Sequence, residues 1–65
     1  MDTINLEVKK NYLDGNGDPL TIQGIHIEIT PAGELHTVII AFSAGELSWY
    51  WLPGDRDEVK LWRPA

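Results

Sequence analysis

A chain of 65 residues with ten acidic side chains against five basic ones, a formal charge of −5, and no cysteine is one domain at most. It has no disulfides and no thiolate zinc site, and its charge argues against a general DNA or RNA binder, whose affinity rests largely on neutralised phosphates. About 60% of the unfolded surface is buried in a domain this small, so oligomerisation is the remaining stabilising device.

Met1–Lys10 contains no basic segment followed by an apolar run, so no signal peptide is expected. The longest apolar run, Val38–Phe42, is far shorter than the roughly 20 residues that span a bilayer. A soluble cytoplasmic protein without membrane association is the expectation.

Ile4, Leu6 and Val8 alternate with Asn5, Glu7 and Lys9, and Lys10 and Tyr12 continue the parity, which predicts a first strand. Asp14-Gly15-Asn16-Gly17-Asp18-Pro19 follows as a loop. Asp14, Asn16 and Asp18 imitate the start of a calcium loop, but Pro19 stands where its glycine belongs and Ile25 where its bidentate glutamate belongs. A hairpin connection is the reading, with no cofactor or metal.

Ile25, Ile27 and Ile29 alternate with His26, Glu28 and Thr30, the cleanest strand in the chain. Reading Pro31-Ala32-Gly33-Glu34 as a four-residue turn pairs Thr30 with Leu35 and sets Ile27 opposite Val38. Thr37–Phe42 and Leu47–Leu52 flank Ser-Ala-Gly-Glu, a hairpin signal that sets Phe42 against Leu47, Ile40 against Trp49 and Val38 against Trp51. The predicted core face is then Ile25, Ile27, Val38, Ile40, Phe42, Leu47, Trp49 and Trp51. Pro53-Gly54-Asp55-Arg56-Asp57 is a turn, and Val59 and Leu61 alternate with Lys60 and Trp62 as a short fifth strand. The expected fold is all-β, a single domain over residues 1–65, a small five-stranded antiparallel meander curled into a barrel or half-barrel of SH3-like size.

On this scheme the outer face carries Leu35, Ile39, Tyr50, Leu52 and Trp62, an apolar patch of several hundred Å² by the usual size of aromatic side chains. His26, Glu28 and Tyr50 share that face. A general-base reading of His26 is disfavoured, because its spacing from Glu28 along the strand is about 7 Å and an open sheet face excludes no water. No phosphate loop, nucleophile elbow or histidine pair at metal spacing is present. The functional expectation is a non-enzymatic interaction protein, a homodimer joined through the outer patch or a protein bound to another protein. Two alternatives are a small-ligand module using His26, Tyr50 and Trp62, and an acidic inhibitor of a nucleic-acid-binding protein.

Overall fold

The computed structural model describes residues 6–65. Its elements are β1 (Asn11–Leu13), β2 (Pro19–Ile29), β3 (Leu35–Ser43), β4 (Glu46–Leu52), α1 (Arg56–Val59) and β5 (Arg63–Pro64). They form one five-stranded antiparallel sheet in the order β4-β3-β2-β1-β5. The all-β, antiparallel expectation holds. The sheet does not close into a barrel: β4 and β5 remain at opposite edges. β1 to β4 form a meander, and α1 then carries the chain across to set β5 beside β1.

Each hairpin is specified by where a positive φ falls. Ala44 (φ 53°) and Gly45 (φ 79°) are both left-handed, as a two-residue type I′ loop requires. The expected pairs Phe42–Leu47, Ile40–Trp49 and Val38–Trp51 follow. The β2–β3 turn is one residue tighter than Pro31–Glu34. Gly33 N–H donates to Thr30 C=O at 2.8 Å, Thr30 N–H donates to Glu34 C=O at 2.8 Å, and Gly33 sits at φ 84°. This is a type I turn closed by a left-handed glycine, which leaves a three-residue loop. Thr30 therefore faces Glu34, and Ile29 rather than Thr30 faces Leu35. The Asp14–Asp18 loop repeats the device, with Gly17 at φ 84° and Asp14 Oδ1 accepting the N–H groups of Asn16 and Asp18.

That single-residue difference exchanges the faces of β2 relative to β3. Ile25 lies opposite Ile39 and Ile27 opposite Thr37, whereas His26 lies opposite Val38. The expected Ile27–Val38–Trp51 row does not exist. A bulge between Ile22 and Gly24 restores the parity of the lower strand, so Ile22 shares the Ile39 face as well.

The core sits on the face expected to be outside. Tyr12, Leu20, Ile22, Ile39, Ala41, Val59 and Trp62 form the buried cluster, with Leu6, Tyr50 and Leu52 packed against it. The cause lies in the segment expected to be a fifth strand. Arg56–Val59 is a helical turn, and Trp62 N–H donates to Val59 C=O at 3.0 Å. Side chains three positions apart then point the same way, so Val59 and Trp62 descend together while Leu61 remains exposed. Burying a valine and a tryptophan removes on the order of 300 Å² of apolar surface from water, worth about 7 kcal/mol at 25 cal/mol per Å².

The predicted first strand is shorter than expected. Ile4 lies outside the described residues, and Leu6–Lys10 is not strand. Lys10 N–H donates to Glu7 C=O at 3.3 Å, Lys9 adopts φ 67°, and Glu7 N–H donates to Tyr12 Oη at 2.9 Å. Within this turn Lys9 N–H donates to Ile22 C=O on β2 at 2.7 Å.

Candidate functional site: the uncovered face and edge of the sheet

Of the residues expected in an outer patch, Ile39 is 2% exposed and Trp62 is 8% exposed. Tyr50 meets the Trp62 ring edge to face, with centroids 4.8 Å apart at 89°, and Leu52 packs on the same cluster. These four belong to the core and its margin; only Leu35 stays fully exposed among the apolar members of that set. His26 is on the opposite face. A ligand site built from His26, Tyr50 and Trp62 has no common surface, because the sheet lies between the histidine and the two aromatics.

Among the described residues, nothing covers the opposite face of β3 and β4. Across it run Phe42–Leu47, Ile40–Trp49 and Val38–Trp51. Trp49 is 53% exposed, Trp51 43%, Phe42 43% and Leu47 49%. Taking up to about 250 Å² for a fully exposed aromatic side chain, these four present about 400 Å² of apolar surface to water. Val38 alone on this face is fully buried, in the row between Trp51 and His26. Ile40 reaches over Gly24, where an added Cβ would sit 3.8 Å from its Cδ1. Charged groups appear only toward β2, where His26 Nε2 and Glu28 Oε1 are 3.1 Å apart. The expected separation of those two side chains along the strand is closed by their leaning together. Both are about half exposed, so neither is desolvated as a catalytic base would need to be.

The two outer margins of the long strands are treated differently. On β4, Asp55 Oδ2 accepts Trp51 N–H at 2.7 Å and Asp55 N–H donates to Trp51 C=O at 2.6 Å, so one carboxylate and one amide close that end of the edge. On β2, β1 reaches only as far as Ile22, and Ile25–Ile29 pairs with β3 alone among the described residues. Ile27 and Ile29 are 66% and 71% exposed.

Elsewhere the chemistry is sparse. Burial raises the Tyr50 phenol above its ordinary pKa, with Glu58, Asp14 and Asp55 adding to the shift and a hydrogen bond to Ser48 opposing it. Among the described residues no cluster of three or more His, Cys, Asp and Glu is placed to hold a metal, and no helix is long and apolar enough to cross a membrane. In the Asp14 loop, Asp14 Oδ1 accepts the backbone N–H groups of Asn16 and Asp18. The residues that sequence reasoning missed as surface, Phe42, Leu47, Trp49 and Trp51, were visible as an apolar stripe. What hid their exposure was the covering role of Val59 and Trp62. No protein-family model, curated protein or solved structure matches this chain.

Proposed function

We propose that this chain is a non-enzymatic interaction protein that self-associates, with the Phe42–Leu47–Trp49–Trp51 face of one copy packed against the same face of a second. The observation that carries this reading is the bare aromatic face itself. Contiguous apolar patches on monomers are rarely larger than a few hundred Å² unless they are used. From two copies the four side chains contribute about 800 Å², and the surrounding rim brings the total into the range of about 1,000 Å² and above expected of specific interfaces. Stacking two such faces about 10 Å apart makes a sandwich core, in which the aromatic side chains interdigitate. A two-fold arrangement fits, because one patch then serves both copies.

Trp49 and Trp51 report on this directly. Sedimentation and tryptophan emission are followed over a dilution series. Association is expected to blue-shift the emission as concentration rises, and in W49S/W51S, where only the buried Trp62 remains, the emission is expected to be independent of concentration. A chain that is monomeric at several hundred micromolar, with emission independent of concentration, refutes the reading.

A further inference from the structure

We infer that the edge of β2 over Ile25–Ile29, unpaired among the described residues, is a second, independent self-pairing site, where two copies join antiparallel about a two-fold axis at Ile27 and continue one sheet into the next. This goes beyond the face-to-face pairing above and uses none of its residues.

The first observation is which backbone groups face outward. Thr30 N–H points toward β3, donating to Glu34 C=O. Alternation along a strand then turns Glu28 and His26 toward β3 and leaves the N–H and C=O groups of Ile25, Ile27 and Ile29 directed away from it. The β4 side gives the same answer independently. Trp51 uses its groups on Asp55, outside the sheet, so its partner Val38 directs its own toward His26. Among the described residues, no backbone partner meets the outward groups of these isoleucines. The bulge between Ile22 and Gly24, together with the Glu7–Lys10 turn, marks where β1 stops covering β2.

The second observation is that the strand complements itself. The segment reads Ile25-His26-Ile27-Glu28-Ile29. With Ile27 on the axis, Ile25 faces Ile29 of the second copy and His26 faces Glu28 of the second copy, twice over. One side of the new pair becomes a continuous strip of isoleucine, burying side chains now up to 71% exposed. On the other side each imidazole meets a carboxylate. These His–Glu positions are the non-hydrogen-bonded ones, where facing side chains approach most closely. Any other register loses part of this match: a shift by two residues leaves one isoleucine unpaired at each end and sets His26 against His26 or Glu28 against Glu28. The occupant that fits is therefore a second copy of this strand; on the opposite margin of the sheet the outward groups of Trp51 are already taken by Asp55.

The chain has no cysteine, which makes a crosslinking test clean. In this register the Ile27 Cα atoms of the two copies lie about 5.5 Å apart, within reach of a disulfide. The two Ile25 Cα atoms lie about 14 Å apart, beyond it. Full-length I27C, I25C and I29C chains are oxidised with diamide and read by mass. The expected result is a covalent dimer from I27C at least tenfold faster than from I25C or I29C alone, and a mixed dimer when I25C and I29C are combined. Slow I27C crosslinking, or equal rates for all three chains, overturns the inference. The charge pattern is tested by sedimentation equilibrium in W49S/W51S, which removes the aromatic face. There H26E is expected to weaken dimerisation at least tenfold, and H26E/E28K to restore it. A dissociation constant unchanged by H26E refutes the His–Glu pairing. Loss of the I27C dimer in W49S/W51S refutes independence from the aromatic face; circular dichroism confirms that each variant is folded.

Discussion

Replacing Trp62 tests where the core lies. Trp62 is 8% exposed, packs edge to face on Tyr50, and its Nε1 has no hydrogen-bond partner among the described residues. W62A removes the largest side chain of the buried cluster and is expected to cost about 3–5 kcal/mol. At roughly 0.05–0.15 kcal/mol per residue, a domain of this length has about 3–10 kcal/mol in total, so W62A loses most or all of its folded population. W62F is different in kind. It keeps an aromatic edge against Tyr50 and gives up about 1–2 kcal/mol of packing, but it also removes a buried donor whose unsatisfied state costs about 1–3 kcal/mol. The net change is expected within about 1 kcal/mol of zero. W49A, on the bare face, is expected to change monomer stability by less than about 1 kcal/mol. Urea unfolding followed by far-UV circular dichroism at low micromolar concentration compares the three. Equal losses from W62A and W49A, or a W62F as damaging as W62A, would show that the sheet is covered from the other side.

Three further outcomes follow from the same geometry. G33A places a side chain at φ 84° where no atom lies within 4 Å, so its cost is conformational alone, about 1 kcal/mol by thermal unfolding; no change in melting temperature would contradict the three-residue loop. D55A frees the Trp51 N–H on the β4 edge and is expected to cost about 1–2 kcal/mol while increasing turbidity on standing; unchanged stability would deny the clamp. The raised Tyr50 pKa means that the folded state holds the phenol proton more tightly than the unfolded state. The resulting stability is complete below the unfolded value near 10 and declines as pH rises through the folded value. Y50F should flatten that alkaline limb in a pH series of urea midpoints, and an identical limb in both proteins would refute the assignment.

The legible part of this fold was the part specified locally. Ala44-Gly45 admits essentially one tight loop, so the β3–β4 register could be read directly. Pro31-Ala32-Gly33-Glu34 admits two, because a proline followed by a glycine two places on suits either a four-residue turn or a three-residue turn ending in a left-handed glycine. Hydrophobic pattern could not break the tie, since two of the three isoleucines meet apolar neighbours in either register: Ile25 and Ile29 face Ile39 and Leu35 in the structure, and Ile25 and Ile27 face Ile40 and Val38 in the expected pairing. The face assignment failed for a related reason. β3 carries branched apolar residues on both sides, Val38 and Ile40 on one and Ile39 on the other, so which side is dry depends on what covers it. That cover is a four-residue helix, too short for any periodicity window to detect. His26 lies beside Glu28, Val38 and Trp51 rather than Tyr50.

The crossover of α1 from one margin of the sheet to the other also dictates an order of events along the growing polypeptide. The three hairpins close through neighbours in sequence and can form as soon as they emerge. Ile22 and Ile39, however, wait for Val59 and Trp62, which are made after every strand they shelter. Vectorial synthesis therefore leaves the sheet greasy on both sides until Val59 and Trp62 have emerged. During that interval a nascent chain depends on dilution, or on a chaperone's grip, to stay clear of its neighbours.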